Sequence, residues 1–167
     1  SDQLNINMFL TPVTDEELMK LMNNLPPNKA AGLDGINPNL VKHAAPFIVQ
    51  PLVHIYNMSF TEAVVPEKLK ISKVIPIFKK EDTTVPGNSR PISLLSIFNK
   101  LLEKLMYKRL YSFVTTNDIL YEYQFGFRNK QSTILAITEI EDDIRGEHDK
   151  GNSVLGIYLD LSKAFDT

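Results

Sequence analysis

From residue 98 to residue 113, apolar side chains recur at Phe98, Leu101, Leu102, Leu105, Met106, Leu110 and Phe113. Steps of three and four residues place all seven on one face of a helix, and a face that apolar has to be buried against other elements. Lys100, Glu103, Lys104, Lys108 and Arg109 are then read onto its polar side. Other segments supply partners. Thr14-Asp15-Glu16-Glu17 is a capping box, with Thr14 as N-cap and Glu17 reaching back, ahead of a stripe of Leu18, Leu21, Met22 and Leu25. Pro26-Pro27 ends that helix. Asn37-Pro38 opens a second helix, expected to run to about Ala45. A third is expected from Pro46 to about Ala63, with Pro51 in its early turns and an end near Pro66. A last helix follows Ser132 and turns Ile134, Leu135, Ile137, Ile140 and Ile144 inward. All these stripes are core.

Two short runs break the helical period. Residues 72–78 read as a strand that ends in Lys79 and Lys80, passes a turn-forming loop at 83–87 and returns through Arg90. Such a hairpin-like flap carries cations that suit a triphosphate, lysine as a point charge and arginine as a bidentate fork. A solvated strand end is the plainer reading of the lysine pair. Residues 154–159 follow Gly151-Asn152-Ser153 and read as a buried strand with Asp160 at its mouth. A carboxylate on so rigid a base suits a hard, oxygen-seeking Mg²⁺, whereas a helix cap or a solvated loop residue is the plainer reading. The fold class expected is α+β, mostly helical, with a short β flap.

With 43% hydrophobic and 23% charged residues, the chain is read as globular with one sizeable core. It has no cysteine, which excludes disulfides and thiolate zinc sites. His43, His54 and His148 lack zinc spacing, and Glu141-Asp142-Asp143 reads as a solvated acidic face. There is no Gly-x-Ser-x-Gly elbow and no Walker-type loop, so serine hydrolases and P-loop NTPases are unsupported. No apolar run is long enough to span a bilayer and no signal peptide is apparent, so an intracellular protein of cytoplasm or nucleus, with no membrane partner, is expected. The net charge of −2 conceals segregation. Residues 68–109 hold ten basic side chains against Glu81, Asp82 and Glu103, a net of +7 that leaves −9 elsewhere. A basic middle supplies a salt-dependent grip on phosphate, or else is the charged surface of a helix.

Asp160-Leu161-Ser162-Lys163-Ala164-Phe165-Asp166 resembles the first catalytic motif of reverse transcriptases of non-LTR, LINE-type retrotransposons. Residues 73–80 and Asn88-Ser89-Arg90-Pro91-Ile92-Ser93-Leu94-Leu95 resemble the paired fingers motifs of the same family. Lys29-Ala30-Ala31-Gly32-Leu33-Asp34-Gly35-Ile36 is similar to its glycine-rich N-terminal element, though Gly32, Asp34 and Gly35 also suit a plain turn. Gln124-Phe125-Gly126-Phe127-Arg128, followed by Ser132-Thr133, is similar to the element that precedes the catalytic strand. The four matches are colinear over residues 29–167.

The resemblance implies an RNA-directed DNA polymerase that adds deoxynucleotides to a DNA primer on an RNA template, with two Mg²⁺ ions in the complete enzyme. It assigns Asp160 to metal, Phe165 to screening the sugar 2′ position, and Ser162, Lys163 and Ala164 to the vicinity of the triphosphate. Lys79 and Arg90 become nucleotide contacts, with Lys80 competing for the place of Lys79, and Lys73, Lys80 and Arg128 nucleic-acid contacts. It divides the chain into a helical lead at 1–28, a fingers-like region at 29–150 and a first palm strand with catalytic motif at 151–167. The paired-aspartate strand and the thumb lie downstream in that family, so a truncated fingers and partial-palm fragment, inactive by itself, is expected. A non-catalytic nucleic-acid-binding or interaction remnant of a retrotransposon is the alternative.

Overall fold

A computed structural model describes residues 8–78 and 89–161. The chain divides into two units, at 1–117 and 118–167. In the first, α1 (Asp15–Asn23), α2 (Pro38–Glu62), α3 (Glu67–Lys70), β1 (Ser72–Phe78), β2 (Ser89–Leu95) and α4 (Ile97–Thr116) follow in order. The second holds α5 (Thr133–Asp149).

Helix α1 starts where Thr14 Oγ1 accepts a hydrogen bond from Glu17 N at 3.2 Å, and Asp15, Glu16 and Glu17 lie at its positive end. Only half of the expected capping box forms. The Glu17 carboxylate turns to α4 instead, reaching Arg109 Nη2 at 2.8 Å and Lys108 Nζ at 2.6 Å. Helix α2 starts at Asn37, whose Oδ1 accepts from Leu40 N at 2.8 Å, with Pro38 preset for the first turn. It then runs unbroken through Pro46 and Pro51, where two helices were expected. Each proline removes one ladder bond, but both sit on the exposed side. The opposite side buries Val41, Ala45, Val49, Tyr56 and Ser59, and that packing holds the two halves together.

The core joins Leu18 and Met22 of α1, the buried stripe of α2, and Ile97, Leu101, Leu102 and Leu105 of α4. Polar clamps align the three helices. Tyr56 Oη donates to Phe98 O at 2.8 Å, and burial pushes its phenol well above the ordinary tyrosine range. Asn57 accepts from Val13 N at 2.6 Å and donates to Val13 O at 3.0 Å, fixing the segment before α1 against α2. The expected polar position of Arg109 is corrected: it is buried. Its Nε donates to Thr11 O at 2.6 Å and its Nη2 to Pro12 O at 3.0 Å, and the guanidinium lies 5.3 Å over the Phe60 ring. Arg109 stands four residues after Leu105 and eight after Leu101, so the spacing that found the stripe contained this placement.

In the second unit, Ser132 Oγ accepts from Leu135 N at 3.2 Å to cap α5. Two expectations fail there. The stripe of Ile134, Leu135, Ile137, Ile140 and Ile144 is exposed rather than inward, and residues 154–159 form no strand and are exposed. The cause is common to both. An apolar stripe needs a facing surface and a strand needs a neighbour to bond with, and none of the described residues of the second unit provides either.

Candidate functional site

Strands β1 and β2 form an antiparallel two-stranded sheet in the register Ile77↔Arg90, Pro76↔Pro91, Ile75↔Ile92 and Lys73↔Leu94. Directly opposed residues share a face, so Lys73, Ile75, Ile77, Arg90, Ile92 and Leu94 line one side of the hairpin. That side has an exposed cation at each end, Lys73 at the base and Arg90 toward the tip, with an isoleucine floor between them. The two cations stand four residues apart along the ladder, about 13 Å. Proline has no N–H, so the Pro76–Pro91 pair cannot exchange ladder bonds and its nitrogens face the outer edges. Both edges therefore lack a donor at the same level, which obstructs addition of a further strand.

The hairpin is anchored at its base, where Ser72, Leu94 and Leu95 are half-buried. The glycine-rich turn at 29–36 is the anchor. Gly35 N donates to Gly32 O at 3.2 Å, and Gly35 adopts φ +68°. A Cβ on Gly32 would come within 2.8 Å of Leu95 C and Ser96 N, so the turn lies directly on the backbone joining β2 to α4. Asp34 locks the contact by accepting from Ser96 Oγ at 2.7 Å and from Ile36 N at 3.1 Å. Ser96 is also the N-cap of α4, its Oγ accepting from Phe98 N. One aspartate thus ties the turn, the return strand and the core helix together. The turn reading of these residues holds, and what the sequence concealed is the long-range partner.

In the second unit, the loop before α5 is held by Arg128, whose Nη1 donates to Tyr121 O at 3.0 Å and Glu122 O at 3.4 Å. Phe127 and Lys130 take left-handed φ values of 58° and 64°, and Phe127 is almost wholly exposed. The surroundings are acidic: Glu122, with Asp143 and Glu139 of α5, pushes the Tyr123 phenol above its ordinary value. Asp160 is exposed, in a stretch with no regular secondary structure. Among the described residues no three acidic or histidine side chains group to hold a metal ion, so Asp160 offers a suitable hard oxygen donor but not a complete coordination set. Lys73 and Arg90 belong to the first unit, Arg128 and Asp160 to the second. Lys79, Lys80, Ser162, Lys163, Ala164 and Phe165 lie outside the described residues.

Residues 77–167 match the family model described as reverse transcriptase (RNA-dependent DNA polymerase). The chain is 29% identical over 98% of its length to the probable RNA-directed DNA polymerase from transposon BS of Drosophila melanogaster. Identity is 28% over 96% of the chain with the RNA-directed DNA polymerase from mobile element jockey of the same fly. It is 31% over 83% with the retrovirus-related Pol polyprotein from type-1 retrotransposable element R1 of Bradysia coprophila. The chain spans 18%, 18% and 14% of these relatives.

Proposed function

The chain belongs to the reverse transcriptase family, and on that premise we propose that its residues serve an RNA-directed DNA polymerase of a non-LTR retrotransposon, extending a DNA primer on an RNA template. The observation that carries the reading is the braced hairpin, whose one face presents Arg90 and Lys73 to solvent. In nucleotidyl transfer, charge accumulates on phosphate oxygens, and fixed cations lower the barrier by meeting it without reorganising. Arg90 and Lys79 are assigned to the triphosphate, with Lys80 the alternative to Lys79. Lys73, Lys80 and Arg128 are assigned to nucleic-acid backbone. Ser162, Lys163 and Ala164 are assigned to the vicinity of the triphosphate, and Phe165 to screening the sugar.

Asp160 is assigned to a divalent cation, Mg²⁺ by its hard carboxylate donor, and when bound that ion would polarise phosphate oxygens. The fingers-like region is assigned to residues 29–150 and the palm motif to 151–167. No helix among the described residues is long and apolar enough to cross a membrane.

Primer extension by the polymerase carrying these residues tests the assignment. Arg90→Ala should raise the KM for deoxynucleotides and lower kcat by about a hundredfold or more. Asp160→Ala should abolish incorporation while leaving the melting temperature unchanged, and Phe165→Val should admit ribonucleotides. Full activity in the Asp160 variant would falsify the metal role. The non-catalytic binding module is favoured by one observation, that the first unit has a core and a cationic face of its own. Under that reading nucleic acid is bound and the Asp160 substitution changes nothing measurable.

A further inference from the structure

Helix α4 carries a second cationic feature on the side away from its core. Lys100, Lys104, Tyr107, Lys108 and Tyr111 succeed one another at steps of four, three, one and three, so they form one stripe along the helix. The stripe extends over about 16 Å. Lys100, Lys104 and Tyr107 line a cleft of about 640 Å³ with Lys29, over an apolar floor that includes Leu94 and Ile97. Lys104 and Lys108 continue along a neighbouring cleft of about 500 Å³ toward Lys20. The Tyr107 and Tyr111 rings stack with centroids 5.4 Å apart and planes 25° from parallel, and Tyr107 is 55% exposed.

Among the described residues the two clefts hold three carboxylates against five lysines. Glu103 lines the first and accepts from Asn99 Nδ2 at 3.1 Å, while Glu16 and Glu17 line the second, Glu17 tied to Arg109 and Lys108.

Lysines flanking a stacked aromatic pair and an apolar cleft match a chain that alternates phosphates with planar rings. A duplex hides its ring faces, and an acidic polypeptide has no planar groups at that frequency. We propose that this side of α4, with Lys29, is a track for single-stranded nucleic acid, bases stacking on Tyr107 and Tyr111 while the lysines meet phosphates. The track goes beyond the polymerase reading and uses none of the residues assigned to nucleotide or metal.

Fluorescence anisotropy of the 167-residue chain with labelled single-stranded RNA of about a dozen nucleotides tests it. Tyr107→Ala with Tyr111→Ala should weaken binding about tenfold or more. Lys100→Gln with Lys104→Gln should weaken it and reduce the slope of log affinity against log salt by about one to two. None of the four belongs to the core cluster, so each variant should stay folded with a cooperative melt, and affinities are compared well below its midpoint. A duplex of equal length should bind more weakly, and single-stranded DNA should compete with the RNA.

Several results overturn the track: no binding by the unmodified chain, equal affinity in both double variants, or equal displacement by polyglutamate. Loss with the lysine pair but not the tyrosine pair reduces the surface to a polyanion attractor and also overturns it. Lys73→Gln with Arg90→Gln separates the two readings. If only that variant loses binding, the hairpin assignment survives and the α4 track falls.

Discussion

A single methyl group decides whether Gly32 can hold its place. Alanine there would press its Cβ to 2.8 Å from the backbone of Leu95 and Ser96, with no flexible side chain able to yield. Gly32→Ala should therefore destabilise the chain by about 1–3 kcal/mol, read as a lowered urea midpoint. Gly146→Ala, in α5 with open space around it, should be neutral or slightly stabilising. Glu17 offers a pH-dependent counterpart. Burial pushes its carboxyl up, but the hydrogen bonds from Arg109 and Lys108, with their charges, outweigh burial and hold it below 4.5. A depressed native value means that the unfolded chain binds the proton more tightly. The Glu17 contribution is thus fully present above pH 4.5 and lost as pH falls below that through the native value. The melting-temperature advantage of the unmodified chain over Glu17→Gln should be constant from neutral pH to about 5.5 and shrink below 4.5. An advantage independent of pH would show that the carboxylate charge is not what Arg109 and Lys108 require. Arg109→Met should cost about 1–3 kcal/mol, because it leaves the carbonyls of Thr11 and Pro12 without their donor and Glu17 with Lys108 as its one remaining cation among the described residues.

At the scale of elements, α2 is where local rules and packing disagree. Pro46 and Pro51 each remove a ladder bond from a helix that continues regardless, because Val41, Ala45, Val49 and Tyr56 occupy one continuous buried face. Pro51→Ala restores an N–H on the exposed side and should stabilise the chain by about 1 kcal/mol or more, read as a raised urea midpoint. A lowered midpoint would mean that the helix needs the proline's local geometry to fit α1. The hairpin presents the opposite case: the strand read at 72–78 is β1 and the return through Arg90 is β2, while the turn-forming loop at 83–87 lies outside the described residues.

The molecule as a whole is uneven. Every buried side chain among the described residues lies in the first unit, and α5 buries none. Charge is uneven too: thirteen basic and ten acidic residues give the first unit +3, while five and ten give the second −5. Hydrogen exchange should report this difference in burial directly. Amides of α4 around Leu101, Leu102 and Leu105 should exchange slowest, and those of α5 faster by at least an order of magnitude. Equal protection in the two helices would show that the Ile137, Ile140 and Ile144 face is covered in solution.

Helix starts and the glycine turn are local, and Thr14, Asn37, Ser132 and Gly35 specify them through neighbours three residues away. Those features were therefore legible in the amino-acid order. The tertiary structure decided where polar atoms found distant partners: Glu17 with Arg109 instead of its own cap, Asp34 with Ser96, and Asn57 with Val13. It also decided that residues 154–159, apolar enough for a strand, remain without one. Propensity belongs to a segment, whereas a ladder and a core belong to the surfaces that meet.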